Sequence, residues 1–178
     1  LGLVCGSTFM WIKLALREVN PAALVFYRVF FASAGLGIYF LIGRRKLQLR
    51  WWWVYAFIGL FNVALPFILI TWAETHISSG LASILNSTFP FFTMVIASIF
   101  YKVDKLTLPR GLALVLGFIG VFILSYQKMY GNSGSQTLGV IAMLVAACSY
   151  GASTVFARRV DRFVSPEDHS FGQMLAAL

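Results

Sequence analysis

Two asparagines, each followed four residues later by a proline inside a long apolar run, are the residues of this chain best suited to chemistry. They are Asn62 with Pro66, in the run Trp51–Trp72, and Asn86 with Pro90, in the run Gly80–Tyr101. A helical proline lacks the N–H that would bond the carbonyl four residues back, and its ring clashes with that carbonyl. Each pair therefore offers a side-chain amide and a loosened backbone carbonyl, groups able to hydrogen-bond a polar solute. If the two helices run antiparallel, a rise of about 1.5 Å per residue puts Asn62 and Pro90 near mid-span, with Pro66 and Asn86 roughly 6 Å outward of it. Breaks of this kind are tolerated only beside protein or a wet cavity. The competing reading is a pair of packing kinks whose asparagines bond neighbouring helices.

Hydroxyls extend this polar surface. Ser79, Ser83, Asn86 and Pro90 recur at helical spacing, with Ser87 and Thr88 alongside. The first apolar run carries Ser7, Thr8 and Trp11, and a later one carries Ser153 and Phe156. The candidate binding set is Ser7, Thr8, Trp11, Asn62, Ser83, Asn86, Ser87, Ser153 and Phe156. Its amides and hydroxyls would make polar contacts and its rings would stack. Serine and threonine can instead bond their own backbone or allow close packing, and Trp11 can equally be a packing residue.

The charged residues give less. Lys13, Arg17 and Arg28 lie within a turn or two of a helix end, where long side chains reach back to the interface. Glu74 and His76 read as a solvated outer-loop pair that could bind protons. His76 and His169 both fall in expected loops, so no HExxH motif and no intramembrane histidine pair is present. No enzyme chemistry, metal or cofactor is expected.

These residues sit in a chain of 178 residues that is 60% hydrophobic and only 11% charged, with a mean hydropathy of +0.83. Soluble domains hold about 45–50% apolar and roughly 25% charged residues, so the chain reads as an integral membrane protein. A span needs about 20 apolar residues. Six such runs can be read: Leu1–Leu16 (truncated), Ala22–Gly43, Trp51–Trp72, Gly80–Tyr101, Leu108–Tyr126 and Leu138–Ala157, with a seventh starting at Ser170. Their continuous apolar character predicts helices, since barrel strands alternate. Opening and closing inside apolar runs, the chain is expected to be a fragment cut through its first and last helices. Cys5 and Cys148 lie in apolar runs and are expected to be buried small hydrophobes.

Arg44, Arg45, Lys46 and Arg50 follow the second run, Lys102, Lys105 and Arg110 the fourth, and Arg158, Arg159 and Arg162 the sixth. The alternate loops hold only Arg17 and Lys128. Because positive loops face the cytoplasm, the N-terminal side is expected to be cytoplasmic. The formal charge of +8 is thus a topology signal and not a nucleic-acid signal. Trp51, Trp52 and Trp53 stand where an interfacial aromatic belt would lie.

The stretch Cys5–Arg28 has a second copy at Tyr150–Gln173. In both, fifteen residues separate a helix glycine from a loop proline, Gly6 to Pro21 and Gly151 to Pro166. The same offset pairs Lys13 with Arg158, Thr8 with Ser153, Trp11 with Phe156, Phe26 with Phe171 and Arg28 with Gln173. An odd number of spans between the copies inverts one against the other, a plan common in secondary transporters. The organisation read is a first five-helix repeat over 1–127, a Gly/Ser/Asn-rich linker over 128–137, and the start of a second, truncated repeat over 138–178. The glycines Gly35, Gly37, Gly111, Gly117 and Gly120 are expected to allow close helix approach.

At this point the sequence resembles the EamA-like transporters of the drug/metabolite transporter superfamily. The strongest part is GLFNVALPFILITWAETHISSGLASILNSTFPFFT, Gly59–Thr93. KVDKLT and RGLALVLGFIGVFIL, within Lys102–Leu124, resemble that family's cytoplasmic turn and fifth helix, with Asp104 where the family usually has Glu. Trp11, Lys13, Pro21 and Arg28 resemble the pattern of its first two helices. The resemblance implies an all-α polytopic helix bundle of ten helices in two inverted five-helix repeats. It implies alternating access to a central cavity in the inner membrane, small metabolites such as amino acids as substrates, and commonly export. Arg28 and Asp104 would be gating or structural charges. The lipid bilayer and a small-molecule metabolite are the expected partners. A non-transporting subunit that packs a partner, or a short half-transporter acting as a homodimer, are the alternatives.

Overall fold

The computed structural model describes residues 2–43, 49–101, 111–112, 115–117, 119–120, 123, 134–160 and 164–178. Among these residues there is no strand. The elements are α1 (Gly2–Ala15), α2 (Pro21–Ile42), a 3-10 turn (Leu49–Trp51), α3 (Trp52–Ile58), a π-helical segment (Gly59–Ala64), α4 (Leu65–His76), α5 (Ser79–Asn86), α6 (Phe89–Tyr101), α7 (Gly134–Val160) and α8 (Pro166–Ala176). The described positions between 111 and 123 are helical as well. Four stretches among the described residues are long and apolar enough to cross a membrane: Pro21–Ile42, Trp52–His76, Ser79–Phe100 and Gly134–Val160. The chain is an all-α membrane protein.

The two copies of the repeated stretch open their second helices alike. Asn20 caps α2, its Oδ1 accepting from the Ala22 N–H at 3.3 Å, and Pro21 takes the first helical position. Ser165 caps α8, its Oγ accepting from the Asp168 N–H at 3.2 Å, and Pro166 follows in the same place. A cap satisfies one orphan N–H, and proline at the first position loses nothing because its N–H would be unpaired there anyway. Proline thus sets a helix start four residues earlier than Ser170. It also puts His169, buried, inside α8 instead of in a loop.

At the other expected loop, α7 already begins at Gly134, so residues 134–137 of the expected linker are helical. Small polar residues are compatible with a helix's first turn, and the composition that suggested a linker is the composition of a helix start. Residues 128–133 lie outside the described residues, as does Asp104.

The core lies along α7. Val140, Ala142, Met143 and Ala146 pack against Ile70, Ala73 and Ile77 around the end of α4, and against Leu81, Ala82 and Leu85 of α5, with Phe9 of α1 closing the cluster. Alanine dominates the α7 side of this contact, which lets backbones come close. The surface is apolar in turn: Phe31, Leu41, Ile42 and Trp53 are among the large exposed side chains, as a lipid-facing surface requires. Cys148 is exposed too, where burial was expected.

Close approach occurs at glycines other than those expected. A Cβ on Gly35, Gly111, Gly117 or Gly120 would meet nothing within 4 Å among the described residues, and one on Gly37 would make an ordinary 3.7 Å contact with Phe171. A Cβ on Gly151 would stand 2.8 Å from the Phe92 Cβ and the Thr93 backbone nitrogen. A Cβ on Gly59 would stand 2.6 Å from the Gln173 carbonyl oxygen. These two glycines set the spacing of α7 on α6, and of α8 on the π segment.

Candidate functional site

Both proline-bearing spans are interrupted, each in its own way. The span Trp52–His76 changes register: the Leu65 N–H reaches the Leu60 carbonyl, five residues back, at the end of the π segment. In that register the residue lacking an N–H, Pro66, faces the Phe61 carbonyl and not that of Asn62, which spacing alone had singled out. The freed carbonyl is taken up by α7. Ser149 Oγ donates to the Phe61 carbonyl oxygen at 2.6 Å, and Ser153 Oγ lies 3.4 Å from the same atom.

Asn62 is held by side chains on both sides. Its Nδ2 donates to Gln173 Oε1 of α8 at 3.0 Å, and Ser153 Oγ donates to its Oδ1 at 3.0 Å. Ser153 is 1% exposed and also lies 2.7 Å from the Ser149 carbonyl, so one hydroxyl proton serves several acceptors. Asn62, Ser149, Ser153 and Gln173 therefore form a polar joint between the π segment and the helices of the second repeated stretch. Among the described contacts, Asn62 and Ser153 bond to the protein itself.

The second interrupted span breaks outright. α5 ends at Asn86 and α6 starts at Phe89, with Pro90 in its first turn and Ser87 and Thr88 between. Ser87 Oγ donates to the Ile84 carbonyl at 2.6 Å, and Thr88 Oγ1 to the Leu85 carbonyl at 2.6 Å. Asn86 Oδ1 is enclosed and has no hydrogen-bond partner among the described residues. The Ser83 carbonyl accepts the Ser87 N–H at 3.1 Å.

The remaining candidates divide between two cavities. One, of about 430 Å³, is lined by Ser153, Phe156, Phe57, Phe61, Ile96 and Arg159, among others. Its walls are aromatic, with the Phe57 ring 4.7 Å from that of Phe61 and 5.1 Å from that of Phe156. The other, of about 420 Å³, brings together Thr8 and Trp11 of α1, Tyr27, Arg28 and Phe31 of α2, and Thr71 of α4. The Arg28 guanidinium lies 4.2 Å from the centre of the Phe67 ring, a cation–π contact. Arg28 thus faces a ring inside the bundle, where an extension toward the interface was expected. Ser7 is on α1, one residue before Thr8, and is half-buried.

Arg28 and Gln173 occupy matching positions of the two repeated stretches, and both reach the same interrupted span. Arg28 approaches Phe67 from α2, and Gln173 approaches Asn62 from α8. Spacing in the sequence pairs the two positions but carries no sign that they meet a common helix.

A third cluster was not legible beforehand. α4 runs on to His76, so Glu74 is helical and fully buried, where a solvated loop was expected. Neither of its carboxyl oxygens has a hydrogen-bond partner among the described residues. The reason lies in α1. Lys13 Nζ donates to the Glu74 backbone carbonyl, and to the Ile77 carbonyl at 2.9 Å. A lysine bonding the last carbonyls of a helix satisfies orphan acceptors and meets the negative end of the helix dipole. Lys13 therefore prolongs α4 by a turn and draws Glu74 inside. Thr71, Ser149 and Gln173 were likewise not singled out as site residues. For Ser149 the one available signal was its position a helical turn before Ser153.

Among the described residues no group of three or more His, Cys, Asp or Glu could hold a metal ion. Comparison with known proteins places this geometry in context. Residues 1–126 match the EamA-like transporter family. A protein of Archaeoglobus fulgidus named as an uncharacterized transporter is 27% identical over 142 residues, covering 80% of this chain and 50% of that protein. The uncharacterized transporter YoaV of Bacillus subtilis is 27% identical over 158 residues, covering 88% of this chain and 54% of its own. The uncharacterized inner membrane transporter YedA of Escherichia coli K12 is 27% identical over 163 residues, covering 90% and 51% respectively. The chain spans about half the length of the curated relatives it matches. No solved structure matches it.

Proposed function

The chain belongs to the EamA-like transporter family, and from that premise we propose that it forms the first repeat, and the start of an inverted second repeat, of a multi-pass inner-membrane carrier. The carrier moves small metabolites, amino acids or related compounds, and moves them outward by alternating access. Its N-terminal side is cytoplasmic, in keeping with the basic loops after the even-numbered spans.

The observation that carries this reading is the cavity between α1, α2 and α4. Its volume of about 420 Å³ lies in the range of about 300–1,000 Å³ usual for small-molecule sites. Its walls combine a fixed cation, Arg28, with the Thr8 and Thr71 hydroxyls and the Trp11 and Tyr27 rings. A guanidinium pairs with a carboxylate through two parallel N–H donors, and indole and phenol rings cover an apolar body. An amphipathic solute with one acidic group fits that combination. Asn86, whose enclosed acceptor has no partner among the described residues, stands as a further polar contact on the broken span. Asn62 and Ser153 act in this reading as the joint that lets one repeat lean on the other. Broken helices and irregular backbone beside a mid-membrane site are the usual means by which such carriers bind solute and move.

The test is a screen of amino acids and their toxic analogues in cells expressing the full-length gene. Cells carrying the wild-type gene are expected to export at least one compound and to resist its toxic analogue. Trp11→Ala is expected to lower that export about tenfold, corresponding to about 1.4 kcal/mol, at equal membrane insertion. Equal export by wild-type and empty cells across the screen would refute the carrier reading.

A further inference from the structure

The feature not absorbed by the cavity is the carboxyl of Glu74. It lies on α4 one helical turn after Thr71, which lines the cavity, and it is fully enclosed. An ionised carboxylate stripped of water and left without a partner is strongly unfavourable, and the group takes a proton instead. Glu74 lies two residues before the end of the span Trp52–His76, and an enclosed acid on a spanning helix is a functional-site candidate.

The charged and titratable groups around it come from each neighbouring helix. Lys13 of α1 and Arg28 of α2 lie within electrostatic reach of it. Tyr150 of α7 lies within electrostatic reach of Arg28. α5, of sequence SGLASILN, brings none. On its own helix, His76 is turned back, its Nδ1 lying 2.7 Å from Thr75 Oγ1 and 3.1 Å from the Trp72 carbonyl. Lys13 is the telling neighbour. Its ammonium is at the backbone carbonyl of Glu74 itself, yet it serves that carbonyl and that of Ile77 while the carboxyl oxygens have no partner among the described residues. The ammonium is thus placed to choose between two sets of acceptors on one residue.

We propose that Glu74 is the proton-binding site that couples this carrier to a proton gradient, with Lys13 as the latch that reports its state. This rests on the carrier reading above. With a proton on one carboxyl oxygen, Glu74 is neutral, and Lys13 stays on the Glu74 and Ile77 carbonyls, tying the C-terminal end of α1 to that of α4. When the proton leaves to water, the carboxylate draws the Lys13 ammonium off those carbonyls, and the two helix ends part. Only an O–H bond is made or broken in this cycle, and Lys13 keeps its charge throughout.

The test uses the full-length protein in liposomes and the proton itself as probe, read by infrared spectroscopy. The wild type is expected to show the carbonyl stretching band of a buried protonated carboxylic acid. The band should be lost in Glu74→Gln, which keeps the side-chain shape, and return in Glu74→Asp. A band unchanged in Glu74→Gln would overturn the proposal, and so would its absence from the wild type. For a compound exported by the full-length protein, an imposed pH gradient should change the wild-type rate several-fold and leave the Glu74→Gln rate unaltered. A gradient response retained by Glu74→Gln would also overturn it. If no compound is exported, the carrier reading fails on its own, while the infrared band still decides whether Glu74 holds a proton.

Discussion

Replacing Gly151 by leucine is expected to cost the full-length protein about 3 kcal/mol or more of stability, the upper end of the range for overpacking. A Cβ at this position would stand 2.8 Å from the Thr93 nitrogen and 2.9 Å from the Phe92 carbonyl carbon, backbone atoms that no rotamer change can move aside. α6 would have to lift off α7, opening the contact that joins the broken span Ser79–Phe100 to α7. Gly35→Leu is the control. A Cβ there meets nothing within 4 Å among the described residues, and a surface change of this sort is worth within about 0.5 kcal/mol. Thermal unfolding of the purified variants in detergent should separate them clearly. Equal unfolding temperatures for the two would show that α6 and α7 are not packed as described.

The second large effect is expected at Ser149. Pro66 cannot serve the Phe61 carbonyl, and the Ser149 hydroxyl does so at 2.6 Å. Ser149→Ala leaves that part-buried acceptor to Ser153 alone, at 3.4 Å, and the loss of such a hydrogen bond costs about 1 kcal/mol. Pro66→Ala restores an N–H in the same turn. In a double-mutant cycle the cost of Ser149→Ala should therefore shrink by about 1 kcal/mol in the Pro66→Ala background, a coupling within the usual range for contacting residues. Additive effects would mean that the proline does not create the need for the serine. The same joint rationalises the helix-starting pattern of α8, because capping by Ser165 and the turn set by Pro166 are what deliver Gln173 to Asn62.

The helices and their order were readable because apolar runs of about 20 residues have few other fates. The two interruptions were readable from Pro66 and Pro90, since a missing N–H is a local property. What a proline does to register is not local. A single extra residue in the turn at Gly59–Ala64 moves the unserved carbonyl from Asn62 to Phe61, and that choice depends on Ser149, which lies 88 residues away. Glu74 shows the same limit. A glutamate two residues before a histidine reads as loop by polarity, and the helix runs over it because Ala73 and Ile77 pack on α7 and Lys13, 61 residues earlier, serves its end carbonyls. The packing glycines repeat the lesson. Gly117 and Gly120 look like a contact stripe by spacing but meet nothing among the described residues, whereas Gly59 and Gly151 are contact points because of what happens to cross them. Of the candidate binding residues, Thr8 and Trp11 line one cavity, Ser153 and Phe156 the other, and Asn62 the joint, while Ser7, Ser83, Asn86 and Ser87 line neither cavity, because one helix face cannot reveal which neighbours it will meet.

The account stands or falls on Arg28 as the cation of the solute cavity. The direct measurement is export, by the full-length protein carrying Arg28→Gln, of a compound that the wild type exports, normalised to inserted protein. The prediction is a loss of at least tenfold, about 1.4 kcal/mol or more of lost binding, with partial recovery in Arg28→Lys, which keeps the charge but not the planar two-pronged donor. Wild-type export by Arg28→Gln at equal insertion would contradict it.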